Sequence, residues 1–221
     1  MLWFIGWHAR GWWYCGHWRI YCSGRGTKRG RHSFHRRHDS GRCDTTRYAD
    51  ANYPAPGIAP YAGPGHFNDP DMLEVGNTVA GGGMTAVEQQ AQFSLWAIMA
   101  APLILGNDLT SMSAATLGIL ANAEVIAVDQ DPLGKQGTPI STSTTLEVWS
   151  KPLSGTKTYA VALFNRTAAA ANITVTWSSL GFTGSATVRD LWAKQDLGTV
   201  ATQYTANVPS HAVVMLKVVG Q

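Results

Sequence analysis

No cysteine follows Cys43, so residues 44–221 hold together without disulfides and offer no thiolate as nucleophile or metal ligand. Charge is also scarce. Asp, Glu, Lys and Arg make up 14% of the 221 residues against an apolar fraction of 45%, the balance of a globular chain with few surface charges rather than of a solvated, self-repelling one. No stretch reaches the roughly 18 consecutive apolar residues that a bilayer-spanning helix needs. The opening Met1-Leu2-Trp3-Phe4-Ile5 is too short, and too soon broken by His8 and Arg10, to read as a secretory signal. Internal repeats are absent as well, which sets aside a solenoid.

The net charge of +3 conceals an uneven distribution. Ten of the 17 basic side chains, all three cysteines and five of the seven histidines lie before Tyr48. The remaining 174 residues hold seven basic and twelve acidic side chains. Residues 1–47 show no helical or strand period, although Trp3, Trp7, Trp12, Trp13 and Trp18 cluster there. Three readings compete for this segment. Cys15, Cys22, His32, His35, His38 and Cys43 could suggest zinc, but their spacing fits no common zinc motif. Arg and His interleaved with aromatics could suggest nucleic acid, but no binding motif accompanies them. The composition, rich in Arg, Gly, Ser, His, Cys and Trp, is also what out-of-frame translation of a GC-rich gene gives. That last reading is preferred, and neither a metal site nor a nucleic-acid partner is expected.

From Tyr48 the pattern changes. Pro60-Tyr61-Ala62-Gly63-Pro64-Gly65 is a loop, and residues 67–75 contain a short strand and its terminal loop. Thr85-x-x-Glu88 is a capping box opening a helix whose Val87, Ala91, Leu95, Ile98 and Met99 form a core-facing stripe. Pro102 ends it, and Leu103-Ile104-Leu105-Gly106 reads as a short buried parallel strand closed by Asn107-Asp108. A second helix is expected at about 113–121, followed by the apolar Val125-Ile126-Ala127-Val128 and the turn Asp129-Gln130-Asp131-Pro132-Leu133-Gly134. Strand–helix alternation of this kind is the unit of a parallel α/β structure. After Gly137 the helices stop. Strand-length, β-branched runs at 146–149, 159–164, 173–177, 186–192 and 212–218 argue for an antiparallel sandwich.

The run Gly63-Pro64-Gly65-His66-Phe67-Asn68-Asp69-Pro70-Asp71-Met72-Leu73-Glu74-Val75-Gly76-Asn77 gathers carboxylates and amides at the end of a strand. This mixture suits a sugar, which needs hydroxyl partners beside apolar surface. Together with Phe93-Ser94-Leu95-Trp96-Ala97-Ile98-Met99-Ala100-Ala101-Pro102-Leu103, Asn107-Asp108-Leu109 and the stretch from Val125 to Gly137, it resembles the α-galactosidases of glycoside hydrolase family 27. The resemblance spans about residues 48–218. It implies an α/β plus all-β fold: the C-terminal part of a (β/α)8 TIM barrel over 48–137, then an antiparallel β-sandwich over 138–221, behind the unmatched segment 1–47. It also implies a secreted protein acting on terminal α-galactosyl residues by retaining double displacement, without metal or cofactor.

The family places Asp71 and Met72 against the bound sugar. A carboxylate there accepts hydroxyl hydrogen bonds, and a thioether gives an adaptable apolar wall. Asp69 is expected to fix the loop, Asp108 to cap a strand end rather than line a barrel mouth, Glu88 to serve the capping box, and His66 to fill the loop. A retaining glycosidase also needs two carboxyl groups about 5–5.5 Å apart. The family's Tyr-x-Lys-x-Asp nucleophile and Trp-Arg-Thr-type acid/base contexts do not occur here, and Asp39, Asp44 and Asp50 stand in neither. No catalytic residue is therefore assigned, and the chain alone is expected to be inactive. The alternative reading is a non-catalytic carbohydrate-binding or structural sandwich. Two physical expectations accompany this reading: the sandwich from Thr138 onward folds by itself, and the barrel portion, short of neighbours, is the loosely held part.

Overall fold

The computed structural model describes residues 58–70, 72–77, 83–141, 143 and 145–221, together with the backbone of a short strand, β1 (Arg19–Tyr21). The cysteines and the histidines weighed as a zinc cluster lie outside the described residues, as do Asp39, Asp44 and Asp50. β1 runs antiparallel to β2 (Phe67–Asp69), with Ile20 opposite Asn68.

Helix α1 (Ala86–Met99) starts where its sequence says it should. The Thr85 side chain accepts from Glu88 N, and the Glu88 carboxylate accepts from Thr85 N at 2.7 Å, so two orphan donors are satisfied reciprocally. The expected stripe is only part of the burial. Val87 is exposed, whereas every residue from Ala91 to Met99 is buried, so the second half of α1 is enclosed on all sides. The helix stops at Ala100, a left-handed residue with φ 53°, before Pro102 is reached.

The expected strand at 103–106 reduces to a single parallel bridge, Leu73 to Leu105, made by Leu73 N to Ile104 O (2.8 Å) and Gly106 N to Leu73 O (3.0 Å). Pro102 has no N–H to extend this ladder, and Ile104 N turns back to Pro102 O. Helix α2 (Ala114–Leu120) is capped by Ser113, as expected. The apolar run at 125–128 forms a helix, α3 (Ala123–Asp129). The Asn122 side chain caps its first turn by accepting from Glu124 N and Val125 N.

The all-β part is antiparallel throughout. Its main sheet has the order β3-β4-β5-β10-β7-β8, built from Thr138–Pro139, Leu146–Pro152, Thr158–Asn165, Val213–Gly220, Ala186–Asp190 and Gln195–Val200. A second sheet pairs β6 (Ala171–Thr176) with β9 (Gln203–Val208). The alternation along β4 and β5 explains the layering. Val148, Val161 and Leu163 face the second sheet, where they meet Ile173, Val175 and Trp177. Trp149, Ala160, Ala162 and Phe164 face the other way, into one core with Phe93, Trp96 and Ile98 of α1. The middle of the main sheet, β4 and β5 above all, is therefore buried on both sides, and the described residues form three layers: helices, sheet and sheet.

Polar contacts secure the helix–sheet seam. Lys151 of β4 is fully buried, and its Nζ donates to Ala97 O (3.1 Å) and Asp129 O (3.4 Å), carbonyls in the last turns of α1 and α3. Ser94 of α1 accepts from Trp192 Nε1 at 2.9 Å, and Asn122 donates to Leu191 O at 3.0 Å. Arg189 of β7 meets both carboxylate oxygens of Glu124 at 2.7 Å. Glu88 lies 3.0 Å from His211 of the β9–β10 turn. Burial acts to raise the Glu88 pKa, but hydrogen bonds from Thr85 and His211 together hold it below the usual value. The chain enters the sheet at Gly137, whose N–H donates to Ile98 O; a Cβ there would lie 2.6 Å from Ile98 Cγ2 and 2.9 Å from Ile98 O.

This layering argues against a self-sufficient sandwich. Cutting at Thr138 would bare Trp149, Phe164 and Met215 and leave a buried lysine without its carbonyls. A fragment 138–221 should bind a hydrophobic dye and unfold without a sharp transition, whereas 83–221 should melt cooperatively. Comparing their urea curves at equal concentration checks this. The burial of residues 91–99 argues on the same ground against the expected looseness of the helical part.

A second outcome concerns pH. Burial pushes the Asp129 carboxyl up to about 6, against a smaller downward pull from Gln130 and Lys151. Burial likewise brings Lys151 down to about 8. A carboxyl whose folded-state pKa exceeds its unfolded value favours the fold when protonated. That contribution is complete below about pH 4 and is lost as pH rises toward about 6. Asp129→Asn should therefore flatten the urea midpoint across that interval relative to the parent chain.

Candidate functional site

The sugar-type loop begins in β2, where the Asn68 side chain points inward and donates to Ile58 O (2.8 Å) and Gln136 Oε1 (2.6 Å). Gln136 belongs to the segment that leads from α3 to the sheet, so the loop is tied to the far end of the helical layer. Two glutamines on α1 hold its other end. Gln92 Oε1 accepts from Glu74 N at 3.0 Å, and Gln89 Oε1 accepts from Gly76 N at 3.2 Å. Asn77 closes the loop on itself by donating to Glu74 Oε2 at 2.6 Å. Backbone groups that a loop would otherwise leave to water are thus met by amide side chains from a rigid helix.

Leu73 is fully buried and anchors the parallel bridge, while its neighbour Met72 is 46% exposed. In extended backbone adjacent side chains point to opposite faces, so burying Leu73 presents Met72 outward. Gly106 permits this approach. A Cβ there would meet Leu73 O at 2.9 Å and Met72 Cβ at 3.3 Å. Gly76, at φ +85°, lies under α2, where a Cβ would come within 2.5 Å of Thr116 Cγ2.

Asp71 lies outside the described residues. Asp69 sits in β2, partly buried. Asp108 is an exposed turn cap: its Oδ1 accepts from Thr110 Oγ1 (2.7 Å) and Thr110 N (2.8 Å), which hold its pKa below the usual value. His66 forms a one-residue bridge with Gly63, a loop role as expected. No described group of three or more His, Cys, Asp or Glu has a metal-binding arrangement, and no described helix is long and apolar enough to cross a membrane.

The supports from Asn68, Gln89, Gln92 and Gln136 went unread in the sequence. The usable signal was a pair of glutamines on the otherwise apolar, inward side of α1. Three buried polar atoms around this loop, Asn68 Oδ1, Gln92 Nε2 and Asn107 Oδ1, have no hydrogen-bond partner among the described residues.

Comparison with known proteins bears directly on this arrangement. The family profile described as "Alpha galactosidase A" matches residues 45–131, and that described as "Alpha galactosidase C-terminal beta sandwich domain" matches residues 143–218. The chain belongs to the family-27 α-galactosidases. It carries their C-terminal portion: a partial barrel and the β-sandwich. An α-galactosidase of Oryza sativa subsp. japonica is 50% identical over 155 residues, which are 69% of this chain and 36% of that protein. The crystal structure of α-galactosidase I from Mortierella vinacea superposes with a TM-score of 0.64 at 38% identity, over 69% of this chain and 39% of that one. A GH27 β-L-arabinopyranosidase from Geobacillus stearothermophilus gives a TM-score of 0.64 at 31% identity, over 71% and 38%. The chain thus spans little more than a third of the length of the relatives it matches.

If Gly106 sets the loop, Gly106→Ala should push Leu73 away and break the bridge. Stability should fall by roughly 1–3 kcal/mol, the usual cost of overpacking. Amide exchange followed by mass spectrometry should speed up in peptides covering 72–77 while those covering 158–165 stay protected.

Proposed function

We propose that this chain supplies the sugar-contacting loop and the supporting sandwich of a glycosidase acting on α-galactosides. Alone, it binds no transition state and turns over no substrate. The observation that carries the reading is the loop from Asn68 to Asn77, held at both ends by amide side chains and offering Met72 at its outer face. A loop fastened this firmly is what positional recognition of hydroxyl groups requires. Asp71 would accept from the sugar hydroxyls and Met72 would lie against its apolar face. Similarity to the rice and Mortierella α-galactosidases supports the substrate class. The arabinopyranosidase relative differs in the sugar it is named for, and the preference between such sugars belongs to residues beyond this loop. By the same resemblance we propose an extracellular site of action. No cofactor or metal is assigned a role.

Inactivity follows from chemistry. Double displacement needs one carboxylate to form the covalent glycosyl intermediate and a second to donate and recover a proton. The sequence has neither family context for these groups, and a binding loop cannot replace a nucleophile.

The test has two arms. The purified chain should hydrolyse an aryl α-galactoside no faster than buffer. Residues 58–221 joined behind the N-terminal two-thirds of the rice enzyme should restore turnover. In that chimera Asp71→Asn should lower kcat/KM by about 10–100-fold, the equivalent of one charge-assisted hydrogen bond. Turnover by the chain alone, or an active chimera indifferent to Asp71→Asn, would overturn the assignment.

A further inference from the structure

Two Asn-x-Thr sequons lie seven positions apart in the sandwich, Asn165-Arg166-Thr167 and Asn172-Ile173-Thr174, and the fold treats them oppositely. Both carry the acceptor pattern for N-glycosylation, so sequence alone cannot separate them. We propose that Asn172 is an N-glycan acceptor when the chain passes through a eukaryotic secretory route, and that Asn165 carries no glycan in the folded protein.

Asn165 ends the central strand β5 and is 0% exposed. Its Nδ2, the atom that would receive the sugar, donates to Ala169 O (2.8 Å), Val208 O (2.9 Å) and Pro209 O (3.1 Å). Its Oδ1 accepts from Thr167 N (2.8 Å) and Thr167 Oγ1 (2.7 Å). The side chain thereby clamps the β5–β6 connection to the end of β9, and the sequon threonine forms part of the same clamp. Glycosylation would replace a hydrogen on Nδ2 with a sugar in a site that has no room for one. It would also leave buried carbonyls without their donor. A nascent chain modified there could not close this corner of the sandwich.

Asn172 lies on the outward side of β6. Ile173 and Val175 are buried against the main sheet, so the intervening Asn172 and Thr174 point to solvent. Asn172 Oδ1 accepts from Asn207 Nδ2 of β9 at 2.9 Å, which leaves its own Nδ2 with no acceptor among the described residues. Thr174 Oγ1 lies 2.7 Å from Thr205 Oγ1 on the same open face. A glycan at Asn172 therefore displaces no packing.

In the transfer itself, the sugar's anomeric carbon leaves a polyprenyl-pyrophosphate donor and bonds to Nδ2. The carbon–oxygen bond of the donor breaks, the lipid pyrophosphate departs with the electron pair, and one amide proton goes to a base of the transferase. The position also has a physical use. Among the described residues β6 is hydrogen-bonded to β9 alone, so its other edge has no described strand partner, and a bulky hydrated group beside it would block strand addition by a second molecule.

The full chain should be secreted from yeast, deglycosylated enzymatically in heavy-oxygen water and mapped by mass spectrometry. The label is expected at residue 172 and not at 165. Asn172→Gln and Thr174→Ala should each remove the single glycan step in gel mobility, and Thr174→Ser should retain it. Translation into microsomes, with mapping of the trypsin-resistant fraction, reads the same two sites in chain that is not exported. Heavy-oxygen label at residue 165 in folded material, or its absence at 172 in either preparation, would overturn the proposal.

Discussion

Lys151 carries its ammonium group into a place with no access to solvent, and the carbonyls it finds there belong to two different helices. A buried cation is tolerated only where the surrounding dipoles replace its hydration, and the last turns of helices present such dipoles. The consequence is geometric. α1 and α3 must end side by side over β4, Ile98 must take the hydrogen bond from Gly137, and the chain must turn into the sheet at that point. Once this is set, Trp149 and Phe164 have only the helical layer to pack against, and the main sheet acquires two buried faces.

The sequence made some of this plain. Thr85 and Glu88 announce a helix start through chemistry confined to four residues, and the capping box forms as written. Five strands were legible because β-branched residues alternate there. β8 was not, since Gln195–Val200 is largely exposed and offers little apolar alternation to detect; β9 does alternate, with Tyr204, Ala206 and Val208 on its inner side, but Ala206 is a weak apolar signal and the run does not stand out. The run at 125–128 is too short for a period to show, and the deciding residue was the preceding Asn122, whose cap commits it to helix. At 103–106 composition favoured a strand, but strand pairing needs an N–H that Pro102 lacks and a partner longer than one residue of Leu73.

For the site, the motif identified which loop matters but not what holds it. Met72 emerges at the outer face because Leu73 is drawn inward, a parity effect visible in sequence only once the strand's buried side is known. Asn68, Gln89, Gln92 and Gln136 act through tertiary contacts between segments up to 68 positions apart, beyond any local pattern. The composition break at Gly137 marks a change of secondary structure, yet one hydrophobic core runs straight across it.

That cohesion also sets an order in time. α1 is complete at Met99, but the strand that helps to cover it, β10, begins only at Val213. At ribosomal speeds of 5–20 residues per second, the apolar flank of the helix waits on the order of ten seconds for its cover. During that interval Phe93, Trp96 and Ile98 are available to any other sticky surface, including the trigger-type chaperones that attend emerging chains. β10 therefore acts as a latch on a helix made long before it, and disruptive substitutions in β10 would be felt in α1 as well as in the sheet.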